Sequence, residues 1–270
     1  MDTLLITSDF SATSANAAKY AAKLSKKLNV RSIILYHSYD VENADTAGIH
    51  EGSLMALEVL QATIQKYLHP NAEVHLVAND LPLVLGVDRL CEQKVVSLVV
   101  AGTTGKSGLA KFILGSNTIG LAEKCSAPLL IIPEDADFEG IDQIVFACAM
   151  EKVKETTPVD EITYFTKQLG ADLQVLNVGL EDKKFDPRLI SEQHEIFHLL
   201  NHLEPTYHYI EDDDIAEGIM DFVDDVDAQM LISVPKTYGF FDSLFHRSVT
   251  KNLAKETEVP LLVLRERDKK

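Results

Sequence analysis

A chain of 270 residues with 46% hydrophobic and 25% charged side chains is long enough for two compact domains, and too apolar for a disordered or fibrous polymer. Its net charge of -17 argues against general binding to nucleic acid or anionic membranes, both of which need basic surface. The excess is uneven: residues 1–137 hold 11 Lys and Arg against 15 Asp and Glu, a net of -4, while residues 138–270 hold 14 against 27, a net of -13, so a polyanionic ligand is expected on the first half.

The chain starts with Thr3-Leu4-Leu5-Ile6 close behind the N-terminus, without the basic start and apolar stretch of a signal peptide. No apolar run approaches the ~20 residues of a membrane span, so a cytoplasmic location is expected. Short apolar runs rich in branched side chains predict strands near 3–7, 31–37, 72–78, 95–101 and 128–132. Amphipathic segments near 14–28, 51–68, 82–93 and 115–126 alternate with them. Parallel strands need crossover connections, so this order predicts a five-stranded parallel sheet with helices on both faces, a Rossmann-like α/β domain. The polar segment Glu134–Gly140 reads as an exposed join between domains 1–137 and 138–270. Beyond it, strands near 143–148, 172–178, 205–210, 228–233 and 260–264 alternate with helices near 157–169, 187–203, 214–226 and 247–257. The order of the first half returns as a tandem repeat, most visibly in Ala127-Pro128-Leu129-Leu130-Ile131-Ile132 and, 132 residues later, Val259-Pro260-Leu261-Leu262-Val263-Leu264.

Cys91, Cys125 and Cys148 have no CxxC spacing and form an odd set, which predicts three small buried hydrophobes and neither a disulfide framework nor a cysteine zinc site. On the second helix of the second half, His194, His198 and His202 recur four apart, opposite Leu189, Ile196, Phe197, Leu200 and Leu203. They should face solvent, where two of them could chelate zinc only if a third ligand approached.

The most informative stretch is Ala101-Gly102-Thr103-Thr104-Gly105-Lys106, continuing to Gly115-Ser116-Asn117-Thr118, between a predicted strand and a helix. Glycines at the carboxyl end of a parallel strand let backbone approach phosphate oxygens, and the next helix start offers free N–H groups. Lys106 and Lys111 read equally well as phosphate partners and as solvated loop residues. The spacing Gly102-x2-Gly105-x9-Gly115-Ser116, with Asp9 in Ile6-Thr7-Ser8-Asp9-Phe10-Ser11 after the first strand, resembles the ATP-binding branch of the universal stress protein family.

That resemblance implies a site for an adenine nucleotide, ATP or else ADP or AMP, with Mg²⁺ or Mn²⁺ carried along. It implies Thr7, Ser8 and Asp9 near adenosine, Ser38 beside the adenine, Ala101 and Gly102 near the ribose, and Gly105, Gly115, Ser116, Asn117 and Thr118 around the phosphates. Thr7 departs from the family, which often has Pro there. The residues alone leave Asp9 open to a second reading as a turn or helix-cap residue. The family also pairs through its last strands, which implies an intramolecular pseudo-dimer of the two domains and room for a homodimer.

In the second half, Val234, Thr237 and Arg247 stand at the offset positions of Gly102, Gly105 and Gly115, and Phe146-Ala147-Cys148-Ala149 has no carboxylate where Asp9 stood. A second nucleotide site is not expected there. Tyr238, Phe240, Phe241, Leu244 and Phe245 instead form an apolar cluster that could fill the vacant pocket, meet an unknown protein partner or line an apolar ligand site. No poised nucleophile, general base or nucleotidyl-transfer motif accompanies the glycines. The resemblance, with no such group beside the glycines, implies a stress-response binding or signalling module, with a nucleotide-free scaffold or a weak ATPase as alternatives.

Overall fold

The computed structural model describes residues 2–40, 46–93, 96–103, 116–180, 187–235 and 243–266, which fall into two compact units, Met1–Phe138 and Glu139–Lys270.

The first unit runs β1 (Thr3–Thr7), α1 (Ala12–Lys27), β2 (Ser32–Ser38), α2 (Thr46–Ile64), β3 (Glu73–Asn79), α3 (Leu83–Gln93), β4 (Val96–Gly102), α4 (Ser116–Lys124) and β5 (Leu129–Ile132). Its strands lie in the order β3-β2-β1-β4-β5, all parallel. β1 and β5 are buried along their whole length because helices cover both faces, which explains their unbroken apolar sequences. Edge strand β3 carries exposed Glu73 and His75. β1 is central, and its carboxyl end meets that of β4 where the strand order reverses.

Helix α1 follows β1 because Ser11, at φ -69° and ψ 163°, caps it: the Ser11 hydroxyl accepts from Ser14 N at 3.1 Å. Ala17, Ala18, Ala21 and Ala22 bring the helix close to the sheet. The join is held rather than free. Asn16 Nδ2 donates to Glu134 O and Ala136 O at 2.9 and 2.8 Å, Lys23 Nζ meets Asp137 Oδ1 at 2.6 Å, and the Phe138 ring packs edge-on against Tyr20 at 5.3 Å. Glu134, Asp135, Asp137 and Glu139 are exposed as expected, while Asp137 and the backbone carbonyls of Glu134 and Ala136 fasten the segment to α1.

The second unit runs β6 (Gln143–Ala147), α5 (Val153–Thr156), α6 (Val159–Leu169), β7 (Asp172–Leu180), α7 (Arg188–Leu200), β8 (Thr206–Asp212), α8 (Ile215–Asp225), β9 (Met230–Ser233), α9 (Ser243–Glu256) and β10 (Leu261–Val263). Its parallel order is β8-β7-β6-β9-β10, the same winding as in the first unit. The single turn α5 is additional to the expected elements, and its first amide is capped by Glu192 Oε2 at 2.9 Å.

Two expectations need correction. Cys125 and Cys148 are buried, but Cys91 is only partly so; a hydrogen bond with Cys125, then burial, raises its thiol pKa. Phe197 is 45% exposed instead of lying on the buried face of α7, where it leans on Tyr207 at 5.9 Å. His194, His198 and His202 are exposed as expected. His194 and His198 meet edge-on at 4.4 Å, His202 Nε2 lies 2.8 Å from Thr163 Oγ1, and no cluster of three metal-ligating side chains occurs among the described residues. Nor is any described helix long and apolar enough to cross a membrane.

Candidate functional site

A cleft of about 510 Å³ opens over the carboxyl ends of β1 and β4. Its wall brings together Thr7, Ser8, Asp9, Ser38, Ala101, Gly102, Asn117 and Thr118, all predicted from sequence, and adds Ser11, Ser14, Leu83 and Thr103. Ser116 begins α4 but is not part of that wall, and Gly105 and Gly115 lie outside the described residues. Ser11 and Ser14 went unassigned, although their spacing is that of a helix cap and the third residue beyond it, which turns both toward the strand end.

The hydroxyls are oriented by the fold. Thr7 Oγ1 donates to Val100 O at 3.2 Å, Ser38 Oγ to Leu81 O at 2.6 Å and Thr118 Oγ1 to Gly102 O at 3.1 Å. Ser8 Oγ accepts from Phe10 N at 3.1 Å and shares a hydrogen with Ser14 Oγ at 3.1 Å. With their hydrogens committed to carbonyls, Thr7, Ser38 and Thr118 keep oxygen lone pairs as acceptors.

Asp9 strengthens that acceptor end. Its Oδ1 accepts from Ser11 N at 3.0 Å and Ser11 Oγ at 2.6 Å, closing a turn into α1. Burial opposes ionisation of Asp9, but the Ser11 hydroxyl and amide, helped by Ser14, outweigh it and hold the carboxyl below its ordinary value of 3.8. The turn reading of Asp9 is thus correct without excluding a ligand, because one carboxylate oxygen makes the turn and the residue remains exposed at the cleft.

Phe10 continues the turn at φ 63°, an uncommon conformation for a bulky side chain, and its ring sits 4.3 Å from that of His37. His37 Nδ1 lies 2.7 Å from Ser8 O, tying β2 to the turn. The donor end of the cleft is different. The first turn of α4, carrying Asn117 and Thr118, has backbone N–H groups that no intrahelical carbonyl satisfies, together with the positive end of the helix dipole. Gly102 lies between the two ends, where a Cβ would stand 3.1 Å from Thr13 O, so its lack of a side chain lets α1 approach β4.

Residues 1–133 match the model of the universal stress protein family. The chain carries a universal stress protein domain. A universal stress protein from Archaeoglobus fulgidus DSM 4304 has a similar structure, with a TM-score of 0.76 at 17% identity over 97% of this chain and 98% of its own. A functionally unknown protein from Pseudomonas aeruginosa PAO1 follows with a TM-score of 0.66 at 12% identity, over 98% and 92%. These TM-scores show a shared fold. A universal stress protein in complex with cAMP matches 50% of this chain and 98% of its own at 22% identity, with a TM-score of 0.38. No curated protein matches the chain in sequence.

The corresponding end of the second unit keeps Ser248 and Thr250 at the offset positions of Ser116 and Thr118 but lacks the groups found at the ends of β1 and β4. Ala147, Cys148 and Ala149 follow β6, and Val234 follows β9. Tyr238, Phe240 and Phe241 of the expected apolar cluster, with Thr237, lie outside the described residues, as do the side chains of Leu244, Phe245 and Arg247.

Proposed function

We propose that the universal stress protein domain binds an adenine nucleotide, ATP foremost, and that the chain works as a nucleotide-responsive binding module. The observation that carries this reading is the two-ended cleft, with acceptors at Asp9, Ser8 and Ser38 and donors at the start of α4. Ribose hydroxyls and the adenine amine are donors and suit the first end; phosphates are acceptors and suit the second. Thr7, Ser8 and Asp9 would hold the nucleoside, Ser38 would border the base, Ala101 and Gly102 the ribose, and Asn117 and Thr118, with Gly105, Gly115 and Ser116, the phosphates.

A divalent cation fits only as the nucleotide's companion. With no cluster of three ligating side chains among the described residues, Mg²⁺ or Mn²⁺ would be held chiefly by phosphate oxygens and water, which is common for Mg²⁺. No described side chain at the donor end is placed to activate a water, so binding is favoured over turnover.

The test is to identify small molecules released from freshly purified protein and to titrate ATP into it, with Gly115→Arg alongside. Adenine nucleotide in the parent and its loss in the variant support the reading. Absence from the parent, together with no ATP binding heat, would overturn it.

A further inference from the structure

The first unit holds two thiols in contact that the nucleotide reading does not use. Cys91 lies in the last turn of α3, and Cys125 directly follows α4, where its N–H donates to Leu121 O at 2.8 Å. The two helices pack side by side, and the thiols meet in a hydrogen bond without being joined in a disulfide. Cys125 is fully buried whereas Cys91 is partly exposed, so reagents in solvent reach one sulfur and only its neighbour reaches the other.

The opposite ends of the same helices help to build the cleft. Leu83 opens α3, Asn117 and Thr118 belong to the first turn of α4, and all three line the cleft wall. Between cleft and thiols the helices touch closely, since a Cβ on Gly120 would stand 2.9 Å from Val84 Cγ2. This contact is a fulcrum. A covalent S–S bond is much shorter than a hydrogen bond between thiols, so closing it draws the carboxyl ends of α3 and α4 together and rocks α4 about Gly120. The first turn of α4 then shifts against Gly102 O, to which Thr118 Oγ1 donates at 3.1 Å.

The surroundings suit a disulfide better than a metal. The hydrogen bond with Cys125, then burial, then the nearby charge of Asp88 raise the pKa of the Cys91 thiol, and both thiols stand at helix carboxyl ends, whose dipoles oppose negative charge. A metal dithiolate would gather negative charge there, whereas a disulfide is neutral.

We propose that Cys91 and Cys125 form a reversible disulfide with hydrogen peroxide as oxidant, and that this crosslink is a redox switch acting on the donor end of the first cleft. The Cys91 thiolate attacks one peroxide oxygen and the O–O bond breaks. Cys91 becomes a sulfenic acid, and the released hydroxide takes up the proton that Cys91 gave off and leaves as water. The Cys125 sulfur then attacks the sulfenic sulfur, the S–O bond breaks, and the departing hydroxide takes the Cys125 proton as a second water. The two thiols together give up two electrons to one peroxide, and a dithiol reductant reverses the change. With its pKa raised, Cys91 holds little thiolate at neutral pH, so the switch closes slowly and under sustained oxidant. The crosslink and its effect on α4 stand whether or not the cleft holds ATP; only an effect on ATP affinity rests on the nucleotide reading.

The test treats the full chain with hydrogen peroxide and follows it by peptide mass mapping without reductant, with Cys91→Ser and Cys125→Ala alongside. A Cys91–Cys125 linkage is expected, reversed by dithiothreitol, absent from both variants, and forming about tenfold faster per unit of pH between about 7 and 9. Hydrogen exchange in peptides spanning residues 116–124 should slow by about threefold or more on oxidation of the parent and stay unchanged in Cys91→Ser, where the side chain is partly exposed. ATP affinity in calorimetry should fall by about fivefold or more on oxidation. No linkage, a linkage to Cys148 instead, or a linkage that leaves exchange over 116–124 unchanged would overturn the proposal, as would a reduced parent whose ATP affinity survives oxidation intact. A reduced parent that binds no ATP counts against the nucleotide reading alone, because linkage and exchange are read without nucleotide.

Discussion

Asp9 makes the turn into α1 and, in the proposed site, also meets the nucleoside, and its chemistry separates the two. Replacing it by Asn keeps an oxygen that can accept from Ser11 but removes the charge, so ATP affinity should fall by about tenfold, the scale of one charge-assisted hydrogen bond, with a small loss of melting temperature at neutral pH. Calorimetric titration beside a thermal melt checks both. Because the folded carboxyl titrates below 3.8, the stability it contributes is complete above that value and is lost as pH falls through the folded pKa. Urea unfolding of parent and Asp9→Asn should therefore converge as pH drops below 3.8, and a gap that widened there would contradict the assignment. Gly86 belongs to the same neighbourhood for a steric reason. A Cβ there would lie 1.7 Å from the hydroxyl of fully buried Tyr36, which donates to Asn79 at 2.8 Å. Gly86→Ala should cost about 1–3 kcal/mol in urea unfolding, and a neutral result would show that the ring relocates freely.

At the scale of elements, helix starts and the join are the testable parts. Asp214 caps α8 by accepting from Ala216 N at 2.7 Å and Glu217 N at 3.3 Å, so Asp214→Ala should cost about 1 kcal/mol by chemical denaturation. The fastening of residues 134–138 to α1 predicts that limited proteolysis spares this segment in the parent and cuts it faster in an Asn16→Ala, Lys23→Ala double variant. Equal rates would show that these bonds do not restrain it. Most strands were legible within a residue or two, because runs such as Leu4-Leu5-Ile6 and Leu98-Val99-Val100 are buried on both faces and leave no competing period. α5 was not legible, since four residues are too few to show a helical period. Phe197 misled because hydropathy reports which side chains prefer burial, not whether a partner surface reaches them. At the candidate site, Asp9 and Gly102 could be found by spacing, and Ser11 and Ser14 carried only the weaker signal of a helix cap and the third residue beyond it.

For the whole molecule, the two units share one winding and differ in what their strand ends present. Sequence exposed the loss of glycines and carboxylate from the second half, but not that Cys148 takes the place of Ser8, because that match rests on the equivalent strand-end bonds Ser8 N to Tyr36 O and Cys148 N to Leu176 O. Under the proposed function, nucleotide binding belongs to the first unit alone. Its most direct measure is the stoichiometry of ATP binding by the full chain in calorimetry. One ATP per chain, abolished by Gly115→Arg in the first unit, is the predicted result; two per chain, or one that survives that substitution, would contradict it.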